Sequence, residues 1–250
     1  MRQANPLIGI LGGMGPLATA DFLSQFVRLT PAGRDQDHHR CMVHMDPTLP
    51  DRSAAILGQG PSPLAGLAAG VAMLDRCEVD LIAIPCNTAH FWLDDLLAIT
   101  RTPILSIVDA VVADLRHQGL AAGRIGILGT LGTVTSGIYE RGFAGTDFEA
   151  VTLAERETVL LVDPVVRAVK AGRIDQAMPL LDYAVETLET RGIAAIVLGC
   201  TELPLAARSS TSREGTPLVD STKALAAACV AWAEGRALLP ADPARAPKAA

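Results

Sequence analysis

The chain has no surplus of positive charge: 21 Lys and Arg against 27 Asp and Glu give a formal net charge of −6 over 250 residues. Nucleic acid and anionic membrane surfaces both select a basic face, so neither is expected as the main partner. An anionic ligand would have to be held by a few local cations. Long apolar runs are also missing: stretches such as ALAAACVAWA at 224–233 fall well short of the roughly 18 to 20 residues that cross a bilayer. The N-terminal MRQANPLIGILGGMGP breaks into glycines instead of leading through a long apolar segment to a cleavage site. It reads as a first strand, and the expected location is cytoplasmic. The five cysteines (41, 77, 86, 200, 229) are odd in number and include no CxxC, which fits reduced thiols better than a disulfide framework.

Half of the residues are hydrophobic, enough for a substantial core in one large domain or two modest lobes. Short aliphatic runs bounded by Gly or Pro read as strands: LIGIL, CMVHM, LIAIP, PILSIV, RIGILG, FEAVTL, AAIVLG and PLVD. Between them PLATADFLSQFVRLT, PLAGLAAGVAMLDRC, DPVVRAVKAGRIDQAMPLLDYAVETLETRG and STKALAAACVAWAEGRALL read as helices. Alternating strand and helix predict an α/β fold with mostly parallel sheets.

The chain also repeats itself. IGILGGMG at 8–15 returns as IGILGTLG at 125–132, Cys200 lies 114 residues after Cys86, and each of these cysteines is followed 16 residues later by Thr-Pro. Landmarks in one order at a nearly constant offset predict two pseudosymmetric lobes. Lobe one covers 1–105 and lobe two 106–205. A last helix at about 218–239 is a candidate to return to lobe one, and residues 240–250 read as a Pro/Ala-rich flexible tail. Ligands of open α/β sheets bind beyond the carboxyl ends of the strands, so facing lobes would form one cleft with a thiol on each wall.

A cysteine that ends a buried strand is more often a small core residue than a reactive group. Here, however, two such cysteines match, and each is followed by polar residues, Asn87-Thr88 and Thr201-Glu202, that do not suit a sealed core. The N–H groups of a turn into a helix lower a thiol pKa from its ordinary value of about 8.5. Two tuned thiols flanking one carbon can remove a proton from one face and deliver one to the other. Removing a proton next to a carboxylate needs hydrogen-bond donors for the growing charge, and Asn87, Thr88, Thr130, Thr133 and Thr201 supply them.

Other readings fit less of the chain. GMGPLA matches a dinucleotide fingerprint, but Pro16 removes a donor from the helix start, and the expected acid at the end of the second strand is missing. DHHRCMVHM suggests a metal site, yet Cys41 and His44 would point to opposite faces of a strand. His90, one helical turn after Cys86, would make a Cys-His nucleophile pair for a hydrolase or transferase, leaving Cys200 unexplained. Cys77 and Cys229 lie in apolar helical patterns and read as core. A two-lobed, non-catalytic small-molecule binding protein would share the cleft but gives no reason for matched thiols.

Together GILGGMGPLAT, PDRS, IPCNTAH, VKAG and LGCTEL resemble the cofactor-independent aspartate/glutamate racemase superfamily, most closely its aspartate racemase branch, over about residues 7 to 220. The resemblance implies an interlobe active site, no pyridoxal phosphate or other cofactor, no metal, and a homodimer. It implies that Cys86 and Cys200 are the acid/base thiols and that Asn87, Thr88, Thr130 and Thr201 hold the α-carboxylate and amino group. Arg52 and Lys170 would face a side-chain carboxylate, and Glu202 would orient the Cys200 loop or meet the ammonium. The implied activity is aspartate racemisation on a small anionic amino acid. Glutamate or broad-specificity racemisation, or a related diacid isomerase or decarboxylase, stand as alternatives.

Overall fold

In the computed structural model, residues 6–207 and 215–236 are described. The first lobe begins with β1 (Leu7–Gly12), α1 (Pro16–Leu29) and β2 (Arg40–Met45). It continues through α2 (Arg52–Ile56), α3 (Leu64–Arg76), β3 (Leu81–Ala83), α4 (Leu93–Leu97) and β4 (Ile104–Leu105). After α5 (Ile107–His117) come β5 (Gly123–Leu128), α6 (Leu131–Ser136), α7 (Ile138–Phe143), β6 (Phe148–Thr152) and α8 (Glu155–Glu157). The chain then forms α9 (Asp163–Lys170), α10 (Ile174–Glu189), β7 (Ala195–Leu198), α11 (Leu203–Ala207), β8 (Leu218–Asp220) and α12 (Ser221–Ala233).

Two four-stranded sheets result, ordered β2-β1-β3-β4 and β6-β5-β7-β8, and every strand pair is parallel. The topology repeats as the sequence does, with each IGILG run forming the strand beside its lobe's cysteine-bearing strand. The second sheet takes in residues up to Asp220, since β8 pairs with β7.

Because parallel sheets are covered on both faces, their strands are apolar throughout, and the period of two sorts residues between cores. Ile8, Ile10, Leu81, Ala83, Ile125, Ile127, Ala195 and Val197 point into one core shared by both lobes. Their neighbours Leu11 and Ile82 face a core under α3, and Leu128, Ile196 and Leu198 face one under α9 and α10. The shared core is completed by α1, α5 and α12, and α12 packs on both α1 and α5. Ser106 and Asp220 start α5 and α12 in the same way, each side chain accepting an N–H three residues on. Such burial, at roughly 25 cal/mol per Å² of apolar surface, is what ties the lobes together.

The long helical pattern over 163–192 is two helices. Gly172, at φ +71°, takes the left-handed conformation that glycine adopts without strain, and it ends α9 at Lys170. Within DHHRCMVHM, Cys41 is exposed in β2, and among the described residues no three His, Cys, Asp or Glu side chains gather to hold an ion. No helix among the described residues is long and apolar enough to cross a membrane. The C-terminal stretch read as a flexible tail, 240–250, lies outside the described residues, as does 237–239.

Candidate active site

Both cysteine loops leave the carboxyl ends of central strands, Cys86 after β3 and Cys200 after β7. Both thiols are buried, at 5% and 6% exposure, and line the same interlobe cavity. Around them the cavity gathers Arg52, Asn87, Thr88, Thr130, Lys170, Thr201 and Glu202, while Thr133, also singled out as a donor, stands behind Thr88 and Thr130 and does not line it. Met14, Asp51 and Ser53 complete the wall.

Several wall residues are held from behind. Asn87 accepts the Tyr139 hydroxyl at 2.6 Å and donates to Ser221 Oγ at 3.0 Å, and Ser221 donates to the Leu198 carbonyl at 2.7 Å. Burial keeps the Tyr139 phenol protonated, its pKa pushed far up, so it remains a donor. Across the seam, Thr88 and Thr133 hydroxyls are 2.8 Å apart, and Ser53 and Thr130 hydroxyls 2.9 Å. Thr130 also caps α6, accepting Thr133 N–H at 3.3 Å, so the ordinary capping role and the place in the cavity coincide.

The charged residues divide between the lobes. Asp51 caps α2 by accepting Ala54 N–H, and Arg52 begins that helix. Arg52 Nη1 donates to the Pro50 carbonyl at 2.9 Å, while its buried Nε has no partner among the described residues. Lys170 reaches the cavity from the end of α9, the terminus that Gly172 creates. Glu202 accepts the Cys200 thiol at 3.1 Å through Oε2, and its Oε1 is buried without a partner among the described residues. Burial first, then the Glu202 carboxylate, push the Cys200 thiol well above the ordinary cysteine range, and Lys170 acts in the opposite direction.

The inner cavity holds about 20 Å³, room for about one water. It shares Asp51, Arg52, Lys170 and Glu202 with an outer chamber of about 440 Å³ lined by Leu17, Pro47, Leu49 and Val169. Gly132 marks how closely the lobes approach, because a Cβ there would lie 2.5 Å from Ser53 Cα. Gly132→Ala is therefore expected to cost about 1–3 kcal/mol in denaturant unfolding. Unchanged stability would mean that the seam is not held this tightly in solution.

His90 does not act on the Cys86 thiol. Its Nδ1–H donates to the Cys86 carbonyl at 2.8 Å, and Nε2 accepts Ile107 N–H at 3.0 Å, so both nitrogens are used in tying the loop to α5. Burial lowers its pKa from 6.5, which keeps the ring neutral. A depressed folded pKa gives stability that is present above pH 6.5 and lost as pH falls below it. The stability gap between wild type and His90→Gln should thus narrow from pH 7.5 to pH 5. A gap independent of pH would contradict a neutral buried imidazole.

Sequence reasoning passed over Met14, Tyr139 and Ser221. Asp51 and Ser53 had a signal in PDRS, whereas Tyr139 and Ser221 reach Asn87 only through the tertiary fold.

Residues 11–229 match the model of the Asp/Glu/hydantoin racemase family. Among solved structures, Picrophilus torridus aspartate racemase superposes with a TM-score of 0.78 at 28% identity, covering 92% of this chain and 95% of that one. The broad specificity amino-acid racemase of Bacillus subtilis is 27% identical over 228 residues, 90% of this chain and 96% of its own. Glutamate racemase from Campylobacter jejuni shares the fold with a TM-score of 0.64 at 22% identity, over 92% and 86% of the two chains. Matched over most of its length and sharing the fold of these relatives, the chain belongs to the Asp/Glu/hydantoin racemase family and is an isomerase of the amino-acid racemase kind.

Proposed function

We propose that the protein racemises aspartate by a two-thiol 1,1-proton transfer at Cα. The observation that carries this reading is that two repeat-related cysteines and two cations line one cavity. In the proposed step one cysteine, as thiolate, takes the Cα proton, and the electron pair flows toward the α-carboxylate. The other cysteine, as thiol, returns a proton to the opposite face, and the two exchange states. Thr88, Thr130 and Thr201 hydroxyls and the Asn87 amide stabilise the carboxylate as charge builds on it. In this reading Glu202 Oε1, which has no partner among the described residues, takes the substrate ammonium, and Arg52 and Lys170 take the side-chain carboxylate. The resemblance supports a cytoplasmic homodimer that works without cofactor or metal.

A broad-specificity reading has its own support in the Bacillus relative and in the roomy outer chamber. Chiral chromatography after incubating L-aspartate, L-glutamate, L-alanine and L-lysine separately, with no cofactor added, separates the two. The expected result is the highest kcat/KM with aspartate. Turnover of alanine or lysine but not aspartate would remove the substrate claim while leaving a racemase.

A further inference from the structure

The two cysteine segments differ at both residues that follow the cysteine, and the second difference changes charge: Cys86-Asn87-Thr88 has a neutral hydroxyl where Cys200-Thr201-Glu202 has a carboxylate. Glu202 is 3% exposed and accepts two hydrogens on Oε2, from the Cys200 thiol at 3.1 Å and from the Thr201 hydroxyl at 3.4 Å. Its other oxygen has no partner among the described residues, and Gly15 of the opposite lobe lies so close that a Cβ there would come within 3.1 Å of it. At Cys86 the hydrogen bond to the loop comes from His90 and goes to the backbone carbonyl.

Resting on the two-thiol reading, we propose that Glu202 is a positioning residue that keeps the resting proton on Cys200, making Cys86 the base in the resting enzyme. A carboxylate at hydrogen-bond distance favours S–H and repels S⁻, and burial strengthens both effects. The groups that act on Cys200 from other elements include Lys170 at the end of α9, which favours the thiolate, and the Tyr139 phenol on α7, which stays neutral, and the same cavity is lined by Asp51, Arg52 and Cys86 of the opposite lobe. The enantiomer whose Cα–H faces Cys86 is then the one the resting enzyme turns over directly. The opposite enantiomer must await the form with the proton on Cys86, the less populated one.

Alkylation by iodoacetamide, followed cysteine by cysteine by mass spectrometry from pH 6 to 11, tests this. In the wild type Cys200 should react with a higher pH midpoint than Cys86. Glu202→Gln should lower the Cys200 midpoint by about one unit or more and leave Cys86 in place. The alkaline limb of kcat/KM should fall with it, since that limb reports ionisation of the acid thiol. Unreacted Cys229, buried in the shared core, reports that the variant is folded. An unmoved Cys200 midpoint in folded Glu202→Gln overturns the proposal. If that variant does not fold, infrared S–H bands of the wild type decide the matter. The band absent from Cys200→Ser should outlast, with rising pH, the band absent from Cys86→Ser, and the reverse order overturns the proposal. Neither thiol readout requires turnover, so a failure to racemise aspartate is a separate result.

Discussion

Cys86→Ser and Cys200→Ser are each expected to lose about 10³-fold or more in kcat for racemisation, while each variant stays folded. General acid/base groups contribute about 10²–10⁴-fold, and a serine hydroxyl ionises far too weakly to replace a thiolate. The two losses should not add. Racemisation needs both faces of Cα served in one turnover, so the double variant should be little worse than either single one. The replacement removes no packing volume to speak of from sites already 5% and 6% exposed, which separates chemistry from stability. Chiral assay of the purified variants, with unfolding curves alongside, gives the comparison. Parental activity in either single variant would show that only one thiol is used.

Arg52→Leu should lower kcat/KM for aspartate by about 10²–10³-fold, because truncating one partner of a buried charge pair costs 2–5 kcal/mol or more. The guanidinium is already fixed by the Pro50 and Leu49 carbonyls, and its Nε is buried without a partner among the described residues. A donor so placed lacks only an acceptor, and a side-chain carboxylate would be one. Arg52→Lys should restore little, since an ammonium cannot match the planar fork or use the Nε position. The loss should be smaller for amino acids without a second carboxylate, so the ratio of aspartate to alanine turnover is the informative readout. An unchanged ratio would assign Arg52 to the loop and not to the substrate.

The cysteine prediction was reachable from the sequence because the features behind it are repeated, whereas the role of Arg52 rested on the resemblance that PDRS helps to carry. Each of the eight apolar runs contains a strand, although PILSIV supplies only Ile104–Leu105 before Ser106 caps α5, and the twinned IGILG and cysteine segments became matching places in two sheets of the same order. Short helices such as α2, α6 and α7 left no such trace, since five or six residues are too few for a period and are held by contacts from elsewhere. The break between α9 and α10 hinged on Gly172, one residue inside a pattern that otherwise continues. Tyr139 and Ser221, 52 and 134 residues from Asn87, meet it through the shared core that brings α7 and α12 to the first lobe's loop. His90 carried the opposite lesson. Its spacing from Cys86 suggested a reactive pair, but the ring turns to the backbone and its nitrogens are both used there.

The most direct test of the two-base site is early-time deuterium incorporation. L-aspartate and D-aspartate are incubated separately with the protein in D2O, without added cofactor, and quenched after a few per cent conversion. Product and recovered substrate are then resolved by chiral chromatography and mass spectrometry. Two thiols on opposite faces predict one Cα deuterium in the product of each reaction and almost none in the recovered substrate. The proton taken by one thiol is not the one delivered by the other. Deuterium appearing in the recovered substrate as fast as in the product would contradict the two-thiol account, pointing to a single base that serves both faces.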